Sequence, residues 1–375
     1  MLTAKPRFPI KAMLLHGWWP SFLKCALYRF RGCRIGHHVR LGFGTVICEE
    51  QAEIGDDVHI GFFSFLRGRT LWLGDRVQIG SLCFLDTPVM EIGEDTKLNE
   101  QVYIGGLQFP GSRLTIGKNC QIMQMTFINP AKYITIGDDT GIGGDCLIFG
   151  HTSWLSRFEG YPVDFRPIEI GKSVSIAWRV FIGAGAKIGD GAVIGANSFV
   201  SHSIPPRCLA TGSPARVVAS APYFPRELTD ADREKILADI LAEMIGYLCA
   251  SKIDCRQENG EIEVRRTLGR WFSRSIHEKI RVVTTPWMNG EVPPVSERTS
   301  VFLSLHRLPD ELRRQLDDRG IVWFDIEGKE RARLIRPLGE EVAQYLRRHG
   351  LRFNRTTRAA NSSKATLYDQ SSPRN

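Results

Sequence analysis

The chain has 375 residues, 43% of them hydrophobic and 24% charged, which suits a globular protein of two or three domains and excludes a disordered polymer. Its net charge of +8 favours an anionic ligand or a membrane surface. The charge reads as too diffuse for nucleic acid: no strip of Lys and Arg lies along one helix, and no nucleic-acid motif occurs.

Nine cysteines are scattered without a CxxC pair or zinc-site spacing, so a reducing, cytoplasmic setting is expected. Cys48, Cys120 and Cys146 fall at positions where Cys acts as a small apolar residue. No secretory leader is expected from the opening Met1-Leu2-Thr3-Ala4-Lys5-Pro6, and no run of about twenty apolar residues is present to span a bilayer.

Residues 1–33 are expected to form an N-terminal helical cap. Ser21, after Pro20, can cap a helix through Phe22, Leu23, Ala26, Leu27 and Phe30, which Gly32 would stop. The favoured role is to cover the open end of the repeat that follows. Peripheral contact with the inner face of a membrane is the alternative, through Trp18, Trp19, Phe22 and the interleaved Lys24, Arg29 and Arg31.

From Ile35 to Val200 the chain repeats in steps of six. An aliphatic residue followed by a small one recurs at Ile35-Gly36 and Leu41-Gly42, at Ile54-Gly55 and Ile60-Gly61, and onward to Ile188-Gly189 and Ile194-Gly195. After each third pair the early spacing slips by one, so Ile35, Ile54, Leu73 and Ile92 recur every nineteen residues. A six-residue period does not fit an alternating sandwich. It predicts three hexads per turn of a triangular coil, with strands stacked in parallel and about eight coils in all. The small residue after each aliphatic is expected to permit the bend.

Two breaks interrupt the beat. The shorter runs from Gly106 to Leu114 and holds Phe109-Pro110-Gly111. The longer runs from Phe149 to Ile168, and its aromatics Trp154, Phe158, Tyr161 and Phe165 can wall a ligand or a partner subunit.

The beat resumes as IEIGKS-VSIAWR-VFIGAG-AKIGDG-AVIGAN-SFVSHS-IPPRCLATGSPARVV, from Ile168 to Val218. This segment, with its glycine-rich last coil, proline-bearing turn and G-x-P-A-R-V closure, resembles the hexapeptide-repeat acyltransferases, and among them the sugar O-acetyltransferases. The resemblance covers about half of the chain. It implies a left-handed coil over residues 34–219, an exception to the usual crossover hand. It also implies acetyl-CoA as co-substrate, a sugar or glycan hydroxyl in surface or capsular polysaccharide as acceptor, and a homotrimer with pantetheine between subunits. An N-acetyltransferase of an amino sugar nucleotide, an antibiotic acetyltransferase and a non-catalytic β-helix scaffold remain open.

The resemblance also assigns residues. Gly150-His151 matches the family's Gly-His pair at the loop entrance, where a general base is needed. Asn129, one coil away by stacking, resembles the polar partner near the acceptor; a turn-forming Asn before Pro130 is an equal reading. Trp154 and Asp164 are candidate acceptor contacts, and Asp164 or Glu159 could orient His151. On the donor side, backbone at Ala177 and Trp178 would face the thioester. Gly195 would adjoin the pantetheine, and Arg216 the CoA phosphates. His202 takes a position that is usually Lys. Ser175 takes one that is often Trp, for which Trp178, three residues on, would partly compensate. No metal is expected, because His37 and His38 are adjacent, hence on opposite faces of a strand, and His59 has no near partner.

Residues 220–353 read as a small α/β domain without a chemical motif. A helix from Leu228-Thr229-Asp230 through Ile236, Ile240, Met244 and Leu248 opens it. Strands follow at Glu261–Arg265, Arg281–Thr284, Val301–Leu305 and Ile321–Ile326, with helices after Pro309 and from Gly339 to His349. The polar tail 354–375 is expected to be disordered.

Overall fold

A computed structural model describes residues 9–109, 111–152, 155–258, 260–268, 274–286 and 295–356. The chain divides into two compact units, Met1–Glu227 and Leu228–Asn375.

The first unit is a parallel β-helix of three sheets, with nine, ten and eight strands. Each triplet of hexads supplies one strand to each face. Ile35, Ile54, Leu73 and Ile92 are register partners on the first face. Leu41, Ile60 and Ile79 stack likewise on the second, and Ile47, Leu66 and Leu85 on the third. From the second coil upward these side chains are almost wholly buried and form one continuous core. At roughly 1.5–3 kcal/mol per buried aliphatic side chain, the stack is the main stabilising element.

The glycines act differently from the expectation. Gly55 and Gly61 do not take left-handed φ values; a Cβ on either would stand 2.6–2.7 Å from backbone atoms of the next coil. Close approach of coils, not backbone angle, requires them. The left-handed turns fall mostly on non-glycine residues instead, among them Asp57, Arg76 and Asp95 on one edge and Leu82, Gln101 and Met125 on another.

The N-terminal helix spans Ser21–Phe30, with Pro20 at its N-cap. Ser21 does not cap it: its hydroxyl accepts the amide of Leu41 at 2.9 Å and so ties helix to coil. Tyr28 and Cys25 pack into the first coils, and the Tyr28 hydroxyl accepts the amide of Ile47 at 3.0 Å. Lys24 is fully buried, its ammonium donating to the carbonyls of Gly42 (2.5 Å), Gly17 and Thr45 (both 3.3 Å). At the other end Arg216–Ala219 folds back antiparallel on Leu209–Thr211. No described helix is long and apolar enough to cross a membrane.

Among the described residues the second unit is a seven-stranded mixed sheet with three helices, Asp230–Ala250, Asp310–Asp318 and Pro337–Arg348. Thr229 and Asp232 form a capping box at the start of the first helix. Its buried stripe is Leu237, Ile240, Leu241, Met244 and Leu248, whereas Ile236 is exposed. Asp254–Glu258, a polar edge strand not expected from its composition, pairs with Glu261–Leu268. The expected tail is also corrected: Asn354–Arg355 pair in parallel with Glu330–Arg331, because backbone pairing needs no apolar side chain. Residues 357–375 lie outside the described residues.

Candidate active site

Both breaks leave the coil at the same edge, where the third face turns into the first. The lower follows Tyr103–Ile104 and the upper follows Leu147–Phe149, with the Asn129 corner between them. Phe109 of the lower loop meets Phe165 of the upper edge-on, centroids 4.9 Å apart. The Lys132 ammonium lies over the Phe109 ring, 5.8 Å from its centroid.

His151 starts a two-stranded hairpin at the base of the upper loop. His151–Thr152 pair antiparallel with Asp164–Phe165, His151 opposite Phe165. The imidazole lies nearly parallel to the Phe165 ring (6.1 Å, 12°) and tilted against Phe149 (5.9 Å, 32°). Its Nδ1 is buried without a hydrogen-bond partner. Burial holds its pKa below the usual histidine value, so the ring is neutral at neutral pH and can accept a proton.

Asn129 stands one coil away and is nearly fully buried. Its carbonyl accepts the amides of Ala131 and Gly150, both at 3.0 Å, so it forms the turn and also anchors the residue before His151. Its side chain rests on Gly106, where φ is +124° and a Cβ would lie 2.4 Å from Nδ2. Its Oδ1 is buried and has no partner.

The acids do not orient the histidine. Asp164 pairs with Arg166, a residue the sequence reading did not single out. Glu159 sits exposed in the short 3-10 turn Arg157–Glu159. Among the described residues no carboxylate pairs with His151. Trp154 lies outside them.

The donor-side candidates stand on a different edge. Ala177, Gly195 and Thr211 follow the register partners Ile176, Ile194 and Ala210, and Arg216 pairs with Thr211. They form one column where the second face turns into the third. The Ala177 amide is committed to the Ile194 carbonyl (2.9 Å), and that of Gly195 to Ala210 (2.8 Å). The Trp178 amide has no acceptor among the described residues. The Trp178 ring is half exposed and lies over Gly144, where a Cβ would meet it at 2.6 Å. Arg216 is exposed and donates to the Ala215 carbonyl. His202 does not join this column; it follows Phe199–Val200 and so shares the His151 edge. Ser175 is exposed on the second face, one residue before buried Ile176.

An aromatic ladder also escaped the sequence reading. Phe84, Tyr103, Phe127, Phe149, Phe181 and Phe199 succeed one another on the outside of the third face, with neighbouring centroids 4.8–5.7 Å apart. The signal was present, because an aromatic precedes the third aliphatic of most coils.

No protein-family model matches the chain. The galactoside O-acetyltransferase of Escherichia coli K12 is 34% identical over 154 residues, covering 40% of this chain and 70% of that protein. The chain belongs to the hexapeptide-repeat acetyltransferases, an acetyl-CoA-dependent family. A putative colanic acid biosynthesis acetyltransferase of the same organism is 30% identical over 122 residues, covering 28% of this chain and 67% of that one. A hexapeptide-repeat acetyltransferase of Vibrio cholerae, solved with acetyl coenzyme A, is 26% identical, covering 38% of this chain and 69% of that one at a TM-score of 0.26.

Proposed function

We propose that this acetyltransferase carries an acetyl group from acetyl-CoA to a sugar hydroxyl, in the cytoplasmic synthesis of a surface or capsular polysaccharide. The observation that carries this reading is the setting of His151: an unpaired, partly buried imidazole walled by Phe149 and Phe165 at the foot of an extruded loop. Aromatic walls suit the apolar face of a sugar ring. The relatives' acceptors, a galactoside in one name and colanic acid in another, support a glycan.

In the proposed step the acceptor oxygen attacks the thioester carbonyl while His151 takes its proton. The C–S bond then breaks, and the CoA sulfur leaves with the proton that His151 returns. The Trp178 amide is the candidate donor to the developing oxyanion. Arg216 would meet the CoA phosphates, and Gly195 would leave room for pantetheine. Asn129 and Asp164 would serve the acceptor.

The third face separates the His151 edge from the Ala177 column. On this reading one subunit supplies half of each site. Closure needs the donor column of a neighbour, which supports a cyclic homotrimer.

Thiol release from acetyl-CoA, assayed against sugars, amino sugar nucleotides and short glycans, tests the reading. Turnover with hydroxyl acceptors is expected. Turnover with amino sugars alone would make this an N-acetyltransferase, and neither CoA binding nor turnover would leave a scaffold.

A further inference from the structure

The N-terminal helix is turned inside out. Its arc toward the coil carries Lys24, Cys25 and Tyr28, all buried. The opposite arc carries Phe22, Leu23, Ala26 and Phe30, with Phe22 70% and Phe30 91% exposed. Just upstream Ile10, Leu14, Leu15, Trp18 and Trp19 are exposed as well. So many large apolar side chains within Ile10–Phe30 mark an interaction surface.

The charge gathers in the same stretch of sequence. Residues 1–48 hold eight Lys and Arg and no Asp or Glu, while the other 41 basic and 41 acidic residues cancel. The net +8 is therefore concentrated, not diffuse. Lys11, Arg29, Arg31 and Arg40 are exposed and have no acidic partner among the described residues. Beside Phe22 a hollow of about 770 Å³ opens against the second face, bounded by Ser21, Arg40, His59 and Gln78. The last three are register partners in successive coils. The acid at the rim, Asp57, lies 3.3 Å from the His38 imidazole.

We propose that this end docks on an anionic phospholipid surface, with the apolar arc entering the headgroup–acyl boundary and Arg40 and His59 holding a lipid phosphate. Apolar insertion and attraction to anionic lipid reinforce each other. A second copy of the chain is the poorer occupant, because it would bring two strongly cationic ends together. The helix still covers the first coil, so the two roles set out for it are served by its two faces. None of this rests on the acceptor or on the chemistry at His151.

The full-length chain is sedimented with vesicles of phosphatidylglycerol and phosphatidylcholine, and with phosphatidylcholine alone, at low and high salt. Binding to the anionic vesicles is expected, weakened by salt. A Phe22→Ser/Phe30→Ser variant and, separately, Arg40→Gln are expected to bind at least about tenfold less, with melting temperature and CoA binding unchanged. Indifference to anionic vesicles, equal binding to neutral ones, or variants that bind like the parent would overturn the proposal. Self-association through this patch without vesicle binding would do the same, in favour of a second copy.

Discussion

Asp164 turns its carboxylate onto Arg166 along its own side of the hairpin, and not across it onto His151. The imidazole therefore has no anion to raise its pKa, and burial alone acts on it, downward. A general base works when neutral. The rate is expected to be flat around neutral pH and to fall in acid, through an inflection below the usual histidine value. A pH profile of kcat/KM checks this, and Asp164→Asn should leave the inflection in place. An inflection above neutrality would show that an acid reaches the ring in the free enzyme.

His151→Ala is expected to lower kcat by about 10²–10⁴-fold. That is roughly 3–5 kcal/mol at the transition state. CoA affinity and melting temperature should stay near those of the parent, because His151 contributes nothing to the aliphatic stack. Near-normal kcat in the folded variant would remove His151 from the mechanism.

Arg216→Ala should weaken CoA binding and have less effect at saturating donor. Because Arg216 and His151 stand on different edges, the two impaired variants have complementary halves. Assayed at limiting acetyl-CoA, where Arg216→Ala is also slow, co-expression of His151→Ala with Arg216→Ala is expected to raise activity above that of either variant alone. Absence of rescue in verified mixed oligomers would mean that each subunit works alone.

Gly106→Ala should disturb Asn129 directly. Its φ is left-handed, and its Cβ would overlap the Asn129 amide. Strain of about 1–3 kcal/mol is expected, with a raised KM for the acceptor and an unchanged Kd for CoA. Denaturant unfolding and steady-state kinetics measure the two effects.

Lys24→Met would leave the carbonyls of Gly17, Gly42 and Thr45 without their donor, at a cost of about 1–3 kcal/mol. Burial lowers the Lys24 pKa to about 8, while the unfolded chain keeps about 10.4. Between those values the unfolded state binds more protons, so this residue adds stability as pH rises through that window. The slope of stability against pH there should be smaller in Lys24→Met than in the parent.

The coil was legible because its rule is local: one aliphatic in six points inward, and the count survives any ignorance of the rest. The edge carrying His151 and Asn129 was legible for the same reason, since stacking follows from counting. What escaped depends on directions that counting does not supply. Asp164 and Arg166 are two residues apart, and only the hairpin shows that they meet. Lys24 reads as one of the helix's basic residues available to a membrane surface, yet three carbonyls at the open end of the coil draw it inward. Asp254–Glu258 and Asn354–Arg355 are strands held by a neighbour's backbone, with no pattern of their own.

Both extruded loops leave from one edge, and the opposite column of Ala177, Gly195 and Thr211 runs uninterrupted through its turns. Insertions at the first edge lengthen a wall without shifting the register of any strand. On the proposed reading, the preference for a receiver would be rewritten by cutting and splicing loops, while the handling of the carrier would be inherited intact. A chimera that takes both loops from a relative should change what is decorated and keep what does the decorating.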